Sequence, residues 1–331
     1  MNPQEIIRLA NGFRTSQVIL TAHHLGVFAI VGEELITAFQ VAEQTGGDPR
    51  GMAMLLDALS ALGLLTKEEH RYRHTPLGLK HLHPSGEAYM GASLTHLHDL
   101  SKVWSLLGEA VIQGGSVRPP EKNLLEDPET NRGFIQAMAQ IGRPNARIIA
   151  ETLDFSPYHR LLDLGGGPGT YAMEILRRNP QITGVVVDLP LTLEVAREEI
   201  AKEGFQSRLA LHPVDFFNDT DSSLGEGFDV ALISNVLHVE GVEANRNLLK
   251  RTHQAMAAGG MLVIHETLID ETRTRHPDRA LFALNMLLNT ERGDCYSFEE
   301  IHSWLLESGF HQVEFIDCFE LPSLMTAIKK N

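Results

Sequence analysis

Leu161-Leu162-Asp163-Leu164-Gly165-Gly166-Gly167-Pro168-Gly169-Thr170 decides how the second half of this 331-residue chain folds. A short apolar run passes into a glycine turn and then into the start of a helix. A second apolar run, Gly184-Val185-Val186-Val187, ends in Asp188. Such a unit lets the backbone approach a ligand closely and offers a carboxylate to ribose hydroxyls. It predicts a site for a nucleoside-type cofactor.

Outward from this stretch, strands and helices alternate. Strands are predicted over Arg160–Leu164, Thr183–Asp188, Leu209–His212, Val230–Ser234 and Met261–Glu266, with helices over Thr170–Arg178, Leu191–Glu203 and Glu243–Ala257. A helix over Phe298–Ser308 and strands over Val313–Phe319 and Ser323–Lys329 close the chain. Alternation of this kind implies an α/β doubly wound sheet with helices on both faces and ligands at the carboxyl ends of the strands. The short link Glu320-Leu321-Pro322 implies an antiparallel terminal pair.

The first third reads differently. Thr37–Thr45 has a helical pattern broken by Gly46-Gly47. Asp48-Pro49 opens another helix, with Asp as N-cap, Pro in the first turn and an apolar face of Met52, Leu55, Leu56, Leu59 and Leu62. Gly63 ends it. Leu64-Leu65-Thr66 and Arg71–Thr75 flank a charged turn and form a hairpin, completing a winged-helix pattern. A groove-reading helix needs base-reading and phosphate-neutralising side chains. Between Thr37 and Gly63 the only basic residue is Arg50, against Glu43, Asp48 and Asp57. The module is therefore expected to pack or dimerise rather than bind DNA. From Gly91 to Thr152 the chain stays helical, with a loop around Gly114-Gly115 and Arg118-Pro119-Pro120.

Composition sets the frame. A formal net charge of −15 opposes phosphate-backbone binding, and no nucleic-acid partner is expected. Cys295 and Cys318 are the only cysteines, which suits a reducing, cytoplasmic setting. No apolar run approaches the roughly 20 residues of a membrane span, so no membrane partner is expected. His81, His83, His96 and His98 tempt a metal reading, but His-x-His on a helix points the rings to different faces, and no metal is expected. Apolar Ile6, Ile7, Leu9, Val18, Ile19 and Leu20 point to a two-fold homodimer through the N-terminal helices.

The choice of cofactor turns on what is absent. A nicotinamide dinucleotide favours Gly-x-Gly-x-x-Gly. Here Gly165, Gly167 and Gly169 alternate, Thr170 stands where the third glycine would be, and no earlier nucleotide half precedes the unit. Asp163 ahead of the turn makes the pattern acid-x-Gly-x-Gly-x-Gly, that of S-adenosylmethionine (SAM) sites. After the third strand, Asp215 can accept from the adenine amino group and Phe216 can pack on the base.

With these residues in place, the chain resembles the SAM-dependent O-methyltransferases of the caffeate/hydroxyindole type over nearly its whole length. The resemblance rests on Leu162–Gly169, Val187-Asp188-Leu189-Pro190, Asp215-Phe216 and Ser234-Asn235-Val236-Leu237-His238. It implies a class I methyltransferase fold behind an N-terminal winged-helix dimerisation domain, divided as residues 1–90, a helical connector over 91–152 and a SAM-binding catalytic domain over 153–331. It places Asp163, Gly165, Gly167, Asp188, Leu189, Asp215, Phe216 and Ser234 at the cofactor, Ser234 standing where many plant members have lysine. It makes His238 the base that takes the proton of an acceptor hydroxyl, oriented by Glu266. Imidazole has the pKa to accept such a proton near neutrality, and a phenolate attacks a sulfonium methyl far better than a phenol. The acceptor is expected to be a small aromatic molecule.

The sequence departs from the plant-type pattern in two places. Val239 follows the histidine where those members have Asp. Cys295 stands where a second supporting acid is expected, with Asp294 and Glu291 close by. Both features look more like bacterial tailoring enzymes. The acceptor pocket is expected from scattered residues over Gly91–Gly142 and Phe282–Asp294, including Met138, Asn285 and Asn289. Methylation of ring carbon, a non-catalytic SAM-binding winged-helix protein, and SAM-assisted hydroxylation or decarboxylation remain alternatives at this point.

Overall fold

The computed structural model describes residues 2–117, 127–219, 222–316, 318 and 323–330. The expected loop residues Arg118-Pro119-Pro120, the link Glu320-Leu321-Pro322 and Phe319 at the end of one expected strand lie outside the described residues. The chain divides into two compact units, Met1–Lys102 and Val103–Asn331.

In the first unit, helices Ala38–Thr45 and Pro49–Ala61 pair ahead of a small antiparallel sheet of β1 (Ile36–Thr37), β2 (Leu65–Glu68) and β3 (Arg71–His74). Thr37 caps the first helix with a reciprocal capping box to Gln40. Asp48 caps the second by accepting from the amides of Arg50 and Gly51. Met52, Leu56 and Leu59 are buried as expected, whereas Leu62 is 43% exposed because it lies past the last turn. The winged-helix pattern is present, with one strand, β1, that two residues could not announce. Of the N-terminal apolar residues, Ile6, Ile7 and Leu9 are exposed, but Leu20 is buried and Val18 and Ile19 pack against the unit's core.

The second unit is built on a seven-stranded sheet of β4 (Arg160–Leu164), β5 (Thr183–Asp188), β6 (Leu209–Pro213), β7 (Phe228–Ser234), β8 (Met256–His265), β9 (Phe310–Ile316) and β10 (Leu324–Lys329). Their order is β6-β5-β4-β7-β8-β10-β9. The first five are parallel, and β10 runs antiparallel to both β8 and β9. Alternate residues feed two cores. Leu162, Leu164, Ala231, Ile233, Leu262 and Ile264 face the helices Val242–Ala255 and Phe298–Glu307. Leu161, Val230, Leu232 and Val263 face Pro128–Thr152, Thr170–Arg178 and Pro190–Lys202. This is the class I methyltransferase fold, and the order of strands reverses between β4 and β7, the place where open α/β sheets generally bind ligands.

Three details correct the expected elements. β8 begins at Met256, not Met261, because Met256 pairs with Phe228 and residues 257–260, with Gly259 at φ 76°, bulge out of β8 before the regular register resumes at Val230 and Met261. β9 begins at Phe310, directly after Gly309. The helix Pro277–Asn289 was not expected as an element. Among the described residues, no helix is long and apolar enough to cross a membrane.

Candidate active site

The glycine turn continues β4 directly. Gly165 donates its amide to the Val187 carbonyl at 2.8 Å, and Gly167 donates to Asp188 Oδ2 at 2.8 Å. Gly165 and Gly167 hold φ of 65° and 56°, a left-handed conformation open to glycine. A Cβ on Gly165 would lie 2.5 Å from Val236 Cγ2, whereas one on Gly167 would meet nothing within 4 Å. Gly165 therefore answers to packing, and Gly167 borders open space.

Two acids flank the turn. Asp163 is 1% exposed, and neither carboxyl oxygen makes a well-formed hydrogen bond among the described residues, the backbone amide of Ala172 being its nearest donor. Burial, reinforced by the neighbouring Asp188, pushes its pKa up to about 7. Asp188 accepts from the amides of Leu189 (2.7 Å) and Gly167, and burial raises it to about 6 against those bonds. Asp215 follows β6 and accepts from the amide and side chain of Asn218, both at 3.0 Å. Phe216 is buried in the sheet core, its ring tip 3.3 Å from where a Cβ of Gly165 would be. The structure thus brings Asp163, Gly165, Gly167, Asp188, Leu189 and Phe216 to the carboxyl ends of the neighbouring strands β4, β5 and β6.

The histidine lies one strand further on. After β7 the chain makes a single 3₁₀ turn, Leu237–Val239, that carries His238. His238 Nδ1 and Glu266 Oε1 are 2.6 Å apart. Glu266, directly after β8, is 1% exposed and accepts also from the amides of Thr267 and Leu237, each at 3.0 Å. Burial would raise this carboxyl, but His238 and the Thr267 amide outweigh it and hold it below the usual range. A carboxylate there makes Nδ1–H the donor and leaves Nε2 as the basic nitrogen. The Phe282 ring packs edge-on against the imidazole at 5.0 Å.

Ser234 is half-buried at the end of β7, 3.0 Å from His265 Nδ1. Asn235, at φ 55°, donates to Ser234 Oγ (3.1 Å) and lies 3.2 Å from the same ring nitrogen. Burial lowers His265 to about 4, so its ring is neutral at physiological pH. Sequence reasoning passed over His265, since a histidine inside an apolar strand carries no signal of its partners. Met138 is half-buried on Pro128–Thr152. Asn285 accepts from Trp104 Nε1 at 3.0 Å and Asn289 donates to Asn285, so both belong to one polar row on Pro277–Asn289, the helix that also carries Phe282.

Cys295 occupies the position where a second acid is expected, and among the described residues no hydrogen bond or ion pair joins Asp294 to His238. Asp294 instead pairs with Arg273 and accepts from the Cys295 amide at 2.7 Å. Cys295 is fully buried, and burial, with Glu266 nearby, pushes its thiol up to about 12. A neutral thiol thus stands near Glu266. Among the described residues no three His, Cys, Asp or Glu side chains converge as a metal site; His98 instead stacks on His24 at 4.3 Å.

Residues 119–311 match the O-methyltransferase domain, and residues 7–83 match the O-methyltransferase dimerisation domain. The chain belongs to the SAM-dependent O-methyltransferases. Among its relatives are 3-hydroxy-5-methyl-1-naphthoate 3-O-methyltransferase of Streptomyces sahachiroi, 31% identical over 95% of this chain and 91% of that one. The tetracenomycin polyketide synthesis 8-O-methyl transferase TcmO of Streptomyces glaucescens is 31% identical over 94% and 92%. Human N-acetylserotonin methyltransferase, crystallised with SAM, superposes with a TM-score of 0.88 at 26% identity over 99% and 97% of the two chains. The residues of this methyltransferase fit its cofactor. A buried acid without a well-formed hydrogen bond, a turn bordered by open space at Gly167, and a strand-end acid held by the Gly167 amide suit a cationic amino-acid end and a ribose.

Proposed function

We propose that the enzyme methylates a hydroxyl of a fused aromatic phenol, with His238 as general base and Glu266 as its orienting partner. One observation carries the reading: the buried 2.6 Å contact between His238 Nδ1 and Glu266 at a strand end of the sheet that carries the glycine turn. Bound SAM supplies an electrophilic sulfonium methyl. Glu266 fixes the tautomer with Nδ1 protonated, so Nε2 takes the proton from the acceptor hydroxyl as its oxygen becomes nucleophilic. Phe282 and the row Asn285, Asn289 border the acceptor with Met138, and Asp163, Asp188, Leu189, Asp215, Phe216 and Ser234 border SAM. The two Streptomyces relatives, named for a hydroxynaphthoate and a tetracenomycin polyketide, support a fused-ring acceptor.

The proposed division is a dimerisation domain over 1–90, a connector lining the acceptor pocket over 91–152 and the catalytic domain over 153–331. The exposed Ile6, Ile7 and Leu9 on the Pro3–Ala10 helix support a homodimer, and the low cysteine count supports a cytoplasmic setting. Replacing His238 with Ala tests the mechanism. SAM affinity should change little while kcat falls by roughly 10²–10⁴-fold; unchanged turnover would sink the base assignment. NMR of the product, locating the new methyl on oxygen or on ring carbon, tests the acceptor atom.

A further inference from the structure

The His238 turn is held by more than Glu266. Asn245, in the first turn of Val242–Ala255, is 0% exposed, and its Nδ2 donates to the carbonyls of Leu237 (2.8 Å) and Glu240 (3.0 Å). These two carbonyls bracket His238. The Tyr296 hydroxyl donates to the same Glu240 carbonyl at 2.5 Å. Burial raises that phenol to about 12, so it remains a donor across the working pH range. Gly293 lets a third segment close on the turn: a Cβ there would lie 2.2 Å from the His238 carbonyl and 2.9 Å from that of Val239.

A primary amide buried beside Leu248 and Leu249 is costly unless it is bonded, and an apolar side chain would serve packing as well. What the amide adds is a tie between the backbone before and after one imidazole. Glu266 fixes the ring at Nδ1, and only a fixed main chain then fixes Nε2. Displacing a catalytic group by about 1 Å costs on the order of 10²-fold in rate.

We propose that Asn245 is a positioning residue for methyl transfer: by fastening the carbonyls of Leu237 and Glu240 it sets the aim of the His238 imidazole. This rests on His238 being the base. Asn245→Asp is the sharpest test, since it sets an acceptor oxygen against two carbonyls at nearly unchanged volume. Asn245→Ala removes the donor, and Tyr296→Phe removes one hydroxyl from the same carbonyl and keeps the ring.

With full-length enzyme, the dissociation constant for SAM should stay within about twofold while kcat falls roughly 10- to 100-fold in the Asn245 variants and several-fold in Tyr296→Phe. The ring Cε1–H NMR signal of His238, assigned by its loss in His238→Gln, should shift in all three, and this readout needs no acceptor. In a folded variant, loss of SAM binding in step with turnover would count against a positioning role. Should the Asn245 variants not fold, Tyr296→Phe carries the test alone. The proposal is overturned if the folded variants keep both wild-type turnover and the wild-type His238 signal. Retained activity in His238→Ala would instead overturn the base assignment, so the two failures are distinguishable.

Discussion

Asp163 and Glu266 are two carboxyl groups buried to the same degree at strand ends of one sheet, each 1% exposed. Glu266 is surrounded by donors: His238 and the amides of Leu237 and Thr267. Asp163 has only the Ala172 amide nearby, with no well-formed hydrogen bond among the described residues, and Asp188 stands beside it. Burial is common to both; the difference in pKa direction comes from partners. Glu266 is committed to a neighbouring side chain and is held as an anion. Asp163 is prepared to meet a donor from a ligand, and the fold tolerates it at a cost. Equal burial thus gives opposite contributions to stability and different stages of function.

The largest test of this contrast is Glu266→Gln. An amide cannot accept three donors on two oxygens, so either Leu237 N–H or the His238–Thr267 pair loses its acceptor. We expect kcat to fall roughly 10²–10³-fold with SAM affinity nearly unchanged, measured in single-turnover methylation. The same change should weaken the protein above the normal glutamate pKa. A carboxyl held low in the folded state stabilises above its unfolded pKa, and that contribution disappears as pH falls through the folded value.

Asp163→Asn should act in the other direction. The folded carboxyl stays protonated to about pH 7, while the unfolded one has released its proton above its ordinary value of 3.8. Between these values the folded state binds more protons, so its stability falls as pH rises. About three units correspond to at most roughly 4 kcal/mol at pH 8. The Asn variant should unfold at higher temperature than wild type at pH 8, lose that slope and bind SAM more weakly. A lower melting temperature at pH 8 would show that Asp163 is already satisfied.

The smallest stability effect is expected at Gly167. Alanine there meets nothing within 4 Å, so the cost is the left-handed backbone alone, on the order of 1–2 kcal/mol. SAM affinity should nevertheless drop by roughly tenfold or more, because the methyl enters the space bordering the turn. Gly165→Ala should cost far more stability, since its Cβ overlaps Val236. Calorimetry of both variants with and without SAM separates the two cases.

Much of the sheet was legible in the chain because its strands are short apolar runs closed by glycine or acid. Arg160–Leu164, Thr170–Arg178 and Thr183–Asp188 fall as expected to the residue. Boundaries failed where glycine has two meanings. Gly259 and Gly260 fell outside the expected strand, but β8 runs through them as a bulge of its own, advancing five residues from Met256 to Met261 while β7 advances two. The Pro277–Asn289 helix was missed because Asn285 and Asn289 interrupt its apolar pattern; their partners, Trp104 among them, are remote in sequence. Asp294, beside the Cys295 position where a second acid is expected, turns to Arg273.

By itself the sequence determined the sheet, the glycine turn, the acid that ends β5 and the presence of a histidine after β7. Each of these depends on residues close together in the chain, whose spacing imposes local geometry. Only the tertiary structure decided that Glu266 also gathers the amides of Leu237 and Thr267, that Asp163 is left without a well-formed hydrogen bond, and that Asn245 and Tyr296 close on the same turn. Hydrogen-bond satisfaction and desolvation depend on what packs from elsewhere in the chain, and spacing carries no record of it.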